Sequence, residues 1–155
     1  MTVTVITASD RASRGEYEDL SGAVIESILL EAYPECRINR VIVPDEAVAI
    51  RKALDENLGD DYILTTGGTG ISPRDVTPDV SREFCDSELP GIAEILRFES
   101  YKETPQAMLS RGYAGLKNQT IVVNFPGSVK AVRLCTRVLI PIMDHSGKMF
   151  RGEGH

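Results

Sequence analysis

Short runs of apolar residues alternate along the chain with segments whose apolar residues recur every three or four positions. The runs are rich in β-branched residues and predict buried strands, whereas the wider spacing predicts helices with one buried face. The predicted strands are 2–8, 36–43, 62–66 and 120–124. The predicted helices are 21–33, 46–57, one that opens at Thr77-Pro78, 90–101 and a last one capped by Ser128, with a helical turn at 105–109. Between them, 9–20 is predicted as a loop, Pro141 as a kink or end of the last helix, and 146–155 as a frayed tail.

Strands that alternate with helices and read as continuous apolar runs are typical of a parallel sheet covered on both faces. The sequence therefore predicts an α/β fold of three layers, with a mostly parallel sheet between two layers of helices. The length of 155 residues predicts a single domain that spans 1–155. In such folds the ligand crevice lies outside the carboxyl ends of the strands. The informative loops are those that follow the predicted strands, at 9–20, 44–45, 67–79 and 124–128.

The composition argues against several classes of partner. With 17 Lys and Arg against 23 Asp and Glu, the formal net charge is −6, which predicts no binding to nucleic acid or to an anionic membrane. The three cysteines, Cys36, Cys85 and Cys135, lie far apart, and the only histidines are His145 and His155. This arrangement disfavours a zinc site and predicts unpaired, non-catalytic thiols in a reducing compartment. Without a signal peptide or a long apolar stretch, the chain is expected to be cytoplasmic.

A glycine-rich loop, Gly67-Gly68-Thr69-Gly70, directly follows the third predicted strand. Glycines allow left-handed backbone conformations and close approach of a ligand, and successive N–H groups in such a turn can bind an anion. A plain tight turn is the alternative interpretation. The loop is neither an ordinary P-loop nor an ordinary dinucleotide motif, because G-x-x-x-x-G-K-[ST] is absent and Pro73 stands where the last glycine of G-x-G-x-x-G would be.

Charged residues near this loop indicate phosphate chemistry. Arg74 could pair with a phosphate, and Asp75 would suit a Mg²⁺ ion that bridges the phosphate to the protein. Asp45 follows a neighbouring strand, so two carboxylates would converge beside the loop, as in metal-assisted phosphoryl or nucleotidyl transfer. The alternatives are that Asp45 caps the helix at 46–57 and that Asp75 closes a turn, although Thr77 is the better cap for the next helix.

The run Thr65 to Asp79, TTGGTGISPRDVTPD, resembles the molybdopterin adenylyltransferase family of molybdenum cofactor biosynthesis, which includes the G domain of gephyrin. The likeness continues in order along nearly the whole chain, at 9–22 (SDRASRGEYEDLSG), 43–45 (VPD), 89–91 (LPG), 107–111 (AMLSR) and 124–128 (NFPGS).

The resemblance implies Mg-ATP-dependent adenylylation of molybdopterin with release of pyrophosphate. It implies that Asp45 and Asp75 are the catalytic acidic residues and hold Mg²⁺. The nucleotide side then comprises Gly67, Gly68, Thr69 and Gly70, with Arg74 as the expected phosphate contact. The pterin side comprises Ser9, Asp10, Ser13, Ser110, Arg111, Asn124, Pro126 and Gly127. The family is usually homotrimeric, which implies a trimer here, and a downstream molybdenum-insertion protein would be a further partner.

Two other functions stay open at the level of sequence. A sister branch of the family shares the GGTG and RDVT core, tends towards hexamers and would include a molybdopterin-binding protein or carrier without adenylyltransferase activity. The segments 124–132 (NFPGSVKAV) and 98–101 (FESY) resemble that branch, whereas 9–22 and the carboxylate pair resemble the adenylyltransferases. A different nucleotide enzyme on the same fold, acting for example on nicotinamide nucleotides, is the third possibility.

Overall fold

The sheet in the computed structural model, which describes residues 1–153, contains six strands in the order β2-β1-β3-β6-β5-β4. The strands are β1 (Thr2–Ala8), β2 (Arg37–Val43), β3 (Tyr62–Thr66), β4 (Ser87–Glu88), β5 (Ala114–Lys117) and β6 (Thr120–Phe125). β2, β1, β3 and β6 are parallel, whereas β5 and β4 continue the sheet in antiparallel fashion. The predicted α/β fold with a mostly parallel sheet is therefore confirmed.

Helices cover both faces of this sheet. They are α1 (Asp10–Ser13), α2 (Leu20–Ala32), α3 (Ala47–Glu56), α4 (Thr77–Phe84), α5 (Pro90–Tyr101) and α6 (Val129–Phe150), with a 3-10 turn at Pro105–Leu109. Because side chains alternate along a strand, Val5 packs among core residues of α2, α5 and α6, whereas Ile6 packs among those of α3 and α4. These two cores produce the predicted three layers.

The edge strands and the first loop differ from the prediction. β4 and β5 were not predicted, because both are short and lack a pattern of their own; β4 pairs with β5, which pairs with β6. The segment predicted as a loop at 9–20 contains α1, whose start is stabilised because the Ser9 hydroxyl accepts a hydrogen bond from the Ala12 N–H at 3.1 Å. α4 begins at Thr77 with Val76 at the N-cap, so the predicted Thr77 cap is wrong.

The last helix is longer than the sequence predicts. Its cap is confirmed, since the Ser128 side chain accepts from the Ala131 N–H, but α6 continues through Pro141 to Phe150. Beyond the proline, Met143 is buried and the Ser146 hydroxyl lies 2.7 Å from that of Tyr62 on β3, so tertiary contacts hold this end. The prediction of a frayed tail is therefore wrong for 146–150, while residues 154 and 155, and with them the prediction for His155, lie outside the described residues.

The parallel strands end at one edge of the sheet. Ala8 at the end of β1 pairs with Val43 at the end of β2, and Thr66 at the end of β3 pairs with Phe125 at the end of β6. The loops after these four strands therefore leave the sheet side by side, which is where the sequence places its candidate residues. No helix within residues 1–153 has the length and hydropathy that crossing a bilayer requires.

Candidate active site

The glycine loop after β3 is packed against the end of β1. Gly67 and Gly68 have φ angles of +94° and +68°, which side-chain-bearing residues rarely adopt. A Cβ atom on Gly67 would collide with the backbone carbonyl of Ala8. The two glycines are thus required both by backbone conformation and by close approach, and the interpretation of this loop as a plain turn does not account for the second requirement.

Asp45 lies in the loop after β2, half-buried, and is tied to the N-terminal loop. Its Oδ2 accepts from the Asp10 N–H at 3.1 Å, and its own N–H donates to Asp10 Oδ1 at 2.9 Å. The alternative in which Asp45 caps α3 is wrong, because Glu46 occupies the N-cap and makes no side-chain cap bond. Burial raises the pKa of the Asp45 carboxyl, and the neighbouring charges of Asp10 and Asp75 add to that effect.

Asp75 closes a turn and also faces the glycine loop. Its Oδ2 accepts from the Ser72 N–H at 2.9 Å, as the turn interpretation predicts. The same oxygen lies 2.8 Å from the position that a Cβ on Gly70 would occupy. On the other side, Asp45 Oδ1 lies 3.2 Å from the Cβ position of Gly68. The structure therefore brings both carboxylates against one loop, which is the juxtaposition on which the two-carboxylate hypothesis depends.

Arg74 is exposed, and in this structure it pairs with a carboxylate. Its Nη2 donates to Asp10 Oδ1 and Oδ2 at 2.9 Å each, and its Nε donates to Oδ2 at 3.1 Å. This contact, followed by the hydrogen bond from the Asp45 N–H, lowers the pKa of the Asp10 carboxyl. The predicted phosphate contact of Arg74 stays a prediction. Arg74 belongs to the turn from Ser72 to Asp75 that the Asp75 carboxylate closes.

Arg111 braces the glycine loop, a role that the sequence did not reveal. Its guanidinium donates to the carbonyl of Gly70 at 2.9 Å, to the carbonyl of Asp75 and to both oxygens of Asp79 at 3.1 Å. Its backbone N–H donates to the Thr69 carbonyl at 2.8 Å. The predicted pterin-phosphate contact of Arg111 stays a prediction, while its observed partners are Thr69 and Gly70 of the nucleotide side, Asp75, and Asp79 on α4.

Asn124, near the end of β6, supports the same edge of the sheet. The Asn124 side chain is buried between strands and helix, where Nδ2 donates to Thr65 Oγ1 and to Ser81 Oγ at 2.9 Å each and Oδ1 accepts from the Tyr113 N–H. Its amide thus holds neighbouring elements in position, and its predicted contact with the pterin side stays a prediction.

Three further pterin-side candidates lie close to Asn124 or to the glycine loop. Ser110 and Pro126 border, with Asn124, a cavity of about 30 Å³. Gly127 packs against Gly67, since a Cβ on Gly127 would lie 3.4 Å from the Gly67 Cα. These positions agree with a shared crevice, and the contacts of these residues with the pterin stay a prediction.

The N-terminal loop forms the opposite wall of a cleft of about 240 Å³ that also touches Gly67 and Gly127. Ser9 lies in this wall, where its hydroxyl is 2.8 Å from that of Tyr17. Ser13 is exposed and bonds to the Asp10 carbonyl, so it does not line this cleft. Tyr17 was missed, because an isolated aromatic residue in a polar segment carries no periodic signal.

A second residue missed from the sequence holds this wall in place. Asp19 is buried and caps α2 by accepting from the Gly22 N–H at 2.9 Å. It also accepts from the Thr7 hydroxyl at 3.0 Å and from Arg40 at 3.1 Å. An acidic residue directly before a helical stripe was the available cap signal, since Asp is among the preferred N-cap residues.

The cysteines lack the properties of a nucleophile. All three are free, and burial raises the pKa of the Cys85 and Cys135 thiols to about 11 each. Such thiols are protonated at neutral pH, whereas the thiolate is the reactive form. The thiols therefore give no reason to revise the two-carboxylate hypothesis.

The residues around the loop fit a magnesium ion that arrives with a nucleotide better than a resident metal. Within residues 1–153, no group of three or more His, Cys, Asp or Glu side chains is arranged to hold an ion. Mg²⁺ commonly uses one or two carboxylates and completes its shell with substrate phosphates and water. Asp45 and Asp75, facing a loop in which three of four residues are glycines, provide such an incomplete set of ligands.

Fold and site together define an α/β protein with a ligand crevice at the carboxyl edge of its sheet. Residues 4–145 match a family model described as a probable molybdopterin binding domain. The molybdopterin adenylyltransferase of Helicobacter pylori strain J99 is 38% identical over 97% of this chain and 88% of the relative.

Solved structures show the same relationship. A molybdopterin biosynthesis protein from Mycobacterium abscessus has a TM-score of 0.88 at 34% identity and covers 96% of this chain and 95% of its own. The molybdopterin biosynthesis enzyme MoaB from Thermus thermophilus has a TM-score of 0.85 at 37% identity and covers 99% of this chain and 98% of its own. The chain belongs to the molybdopterin-binding domain family, which confirms the resemblance found in its sequence.

Proposed function

We propose that the protein is a molybdopterin adenylyltransferase that transfers AMP from Mg-ATP to molybdopterin in molybdenum cofactor biosynthesis. The similarity to proteins of that name over nearly the whole chain supports the assignment. The structural observation that carries it is the position of Asp45 and Asp75, whose carboxylates face the same glycine loop. Phosphates that enter this loop would meet two oxygen ligands for a divalent ion, and no side chain at Gly67, Gly68 or Gly70 would obstruct them.

In the proposed reaction, an oxygen of the terminal phosphate of molybdopterin attacks the α-phosphorus of ATP. One P–O bond forms there, while the bond from the α-phosphorus to the oxygen bridging to the β-phosphate breaks and pyrophosphate leaves with that electron pair. The attacking phosphate is already anionic at neutral pH, so no strong base is needed. The protein therefore acts by positioning two anions and offsetting their mutual repulsion.

Residues of this chain would share that work. Asp45 and Asp75 would hold Mg²⁺, which when bound neutralises charge on the phosphates. The turn from Gly67 to Gly70 would admit the triphosphate, and the exposed guanidinium of Arg74 would turn from Asp10 towards a phosphate oxygen. Arg111 would keep the loop in shape through its contacts with the Gly70 and Asp75 carbonyls.

The pterin would bind beside the loop, towards the N-terminal segment and the turn after β6. The cleft of about 240 Å³ that Ser9, Tyr17 and Gly127 line is continuous with Gly67 of the nucleotide side. Such an arrangement would place the two anionic reactants on either side of Gly67. The cleft is the space we propose for the pterin phosphate and its approach.

The decisive experiment is incubation with molybdopterin and Mg-ATP, followed by mass detection of the AMP conjugate and measurement of pyrophosphate. Asp75→Asn should lose most of this activity, whereas Asp55→Asn, an exposed change on α3, should keep it. Binding of molybdopterin without any conjugate would instead favour the carrier or sister-branch function.

We further propose that the chain forms a homotrimer. α5 and α6 expose Ile95, Phe98 and Ile142 at 44%, 60% and 39%, and a groove of about 400 Å³ runs between these helices. Exposed apolar patches of this kind commonly mark protein interfaces. Light scattering should give three times the chain mass of 17.0 kDa, and Phe98→Glu should shift it towards that of one chain. A hexamer would favour the sister branch.

The proposal also extends to the surroundings of the reaction. The free thiols support a reducing compartment, and we place the reaction in the cytoplasm. The adenylylated product would pass to a molybdenum-insertion protein, and co-purification of this chain with such a partner would test that step.

A further inference from the structure

Thr77 carries a hydroxyl that the fold leaves without a partner. The residue is fully buried at the start of α4, and its Oγ1 is the one buried side-chain polar atom without a hydrogen bond among residues 1–153. Burying an unsatisfied hydroxyl costs free energy, and such groups in native proteins call for an explanation. The position of Thr77 therefore needs a reason beyond packing.

The usual structural roles of a buried threonine do not apply here. Thr77 does not cap α4, since Val76 holds the N-cap position and no side-chain cap bond is made. A comparison within the chain is Thr136, also fully buried, whose hydroxyl donates to the Val132 carbonyl in the preceding turn of α6. The Thr77 hydroxyl has no such bond, although its backbone N–H donates to the Gly68 carbonyl at 3.2 Å.

The unpartnered hydroxyl faces the glycine loop. Thr77 Oγ1 lies 2.5 Å from the position that a Cβ on Gly68 would occupy, and Asp45 Oδ1 lies 3.2 Å from the same point. The hydroxyl and the carboxylate therefore approach Gly68 from two different elements, and only a residue without a side chain fits between them. This is an arrangement of two oxygen atoms that converge where phosphates are proposed to bind.

We propose that the Thr77 hydroxyl is a further ligand at the glycine loop, binding the divalent cation of the metal–nucleotide together with Asp45. The inference rests on the proposed function, because it requires a metal-bound nucleotide at the glycine loop. Oxygen atoms are the ligands that Mg²⁺ prefers, and P-loop proteins use a Ser or Thr hydroxyl in the same chemical role. The hydroxyl has no partner in the ligand-free protein and would gain the cation as its partner when the metal–nucleotide binds.

Two properties of Thr77→Val test this role. Valine keeps the shape of threonine but removes the hydroxyl, whereas Thr77→Ser keeps the hydroxyl. With a non-hydrolysable ATP analogue present, Mn²⁺ binding followed by electron paramagnetic resonance should weaken about tenfold or more in Thr77→Val and stay close to wild type in Thr77→Ser. Thermal unfolding in EDTA should show Thr77→Val at or above the wild-type melting temperature, because no hydrogen bond is lost.

Thr136→Val is the matched control. Its hydroxyl already has a partner, so the substitution should lower the melting temperature in EDTA and leave Mn²⁺ binding unchanged. Wild-type Mn²⁺ affinity in Thr77→Val, or a melting temperature lowered as in Thr136→Val, would overturn the ligand role while leaving the proposed function intact. Absence of metal-dependent nucleotide binding by the wild-type protein would overturn both.

Discussion

Arg74 holds the carboxylate of Asp10 by three hydrogen bonds of 2.9 to 3.1 Å, and Asp10 in turn exchanges two hydrogen bonds with Asp45. This chain of contacts joins the segment after the glycine loop to the N-terminal loop and to the end of β2. The positive charge of Arg74 is thereby paired with the Asp10 carboxylate in the ligand-free protein. An incoming triphosphate would compete with Asp10 for Arg74, so the pair should govern nucleotide affinity.

Substitutions at the two ends of this pair should change ATP affinity in opposite directions. Arg74→Ala removes the guanidinium and leaves Asp10 uncompensated, so the dissociation constant of Mg-ATP should rise about tenfold, the lower end of what a charged hydrogen bond contributes. Asp10→Asn removes a negative charge and frees Arg74, so the constant should fall. Isothermal titration calorimetry measures both.

Lys52→Ala is the control for a general charge effect, because it removes one positive charge from the exposed side of α3. It should leave ATP affinity unchanged. If Arg74→Ala and Asp10→Asn weaken ATP binding equally, the pair is needed intact as a structural tie and the competition model is wrong.

Asp45→Asn should stabilise the ligand-free protein at neutral pH while reducing adenylylation about a hundredfold or more. Burial raises the pKa of the Asp45 carboxyl above its ordinary value of 3.8. A carboxyl group with a raised pKa in the folded state favours folding when protonated, and this contribution is lost as pH rises through that pKa. Asparagine removes the cost of burying the charge and can still accept from the Asp10 N–H.

Urea unfolding in EDTA at several pH values measures how the stabilisation by Asp45→Asn changes with pH. The gain in unfolding free energy should be full at pH 7 and should shrink as pH is lowered towards 3.8. Asp55→Asn, which alters only a surface ion pair, should show little change at any pH. A lower stability of Asp45→Asn at pH 7, or undiminished turnover, would contradict the prediction.

The fold and the centre of the site could be predicted because they depend on local signals. Apolar runs located β1 and β3 within the observed bounds, and the positions of Asp45 and Asp75 after parallel strands indicated one edge of a sheet. Parallel topology brings such loops together regardless of the details of packing. That general rule explains why the convergence of the two carboxylates was foreseeable.

The remaining features depend on contacts between distant segments, which local patterns do not encode. Asp45 resembled a helix cap by its position, yet it is bound by Asp10, 35 residues away. Arg111 braces a loop 41 residues earlier in the chain. Pro141 does not end α6, because contacts beyond it hold the helix, including the burial of Met143 and the Ser146–Tyr62 hydroxyl pair.

Gly68→Ala should block nucleotide binding and destabilise the protein moderately. The added Cβ would lie 2.5 Å from Thr77 Oγ1 and 3.2 Å from Asp45 Oδ1, so it would push both proposed cation ligands out of place. The φ angle of +68° adds backbone strain of about 1–2 kcal/mol for any residue with a Cβ. Calorimetry should detect no ATP binding, and urea unfolding should show the strain.

Gly59→Ala separates strain from obstruction. Gly59 has a φ angle of +116° and open space where a Cβ would stand, and it precedes β3 at the end of the strand away from the site. It should lose stability but keep ATP affinity. Normal ATP affinity in Gly68→Ala would place the phosphates elsewhere.

Arg111→Ala should impair nucleotide use with little effect on folding. The side chain is 39% exposed and its partner Asp79 is 63% exposed, so the ion pair should contribute less than about 1 kcal/mol to stability. Loss of the guanidinium releases the carbonyls of Gly70 and Asp75, so the loop should become less ordered. We expect KM for ATP to rise about tenfold and kcat to fall, because misplaced phosphates react slowly.

Arg111→Lys should recover little of this loss, since one ammonium group cannot bond the two carbonyls and both carboxylate oxygens that the planar guanidinium reaches. Arg82→Ala is the matched control, because Arg82 lies on the same helix as Asp79 and forms an exposed ion pair with Glu88 at 3.6 Å. Steady-state kinetics with varied ATP distinguishes the Arg111 variants from Arg82→Ala, which should keep the wild-type KM and kcat. Unchanged KM and kcat in Arg111→Ala would mean that the glycine loop keeps its shape without Arg111. The conformation of the loop would then depend on its glycines and on their contact with β1.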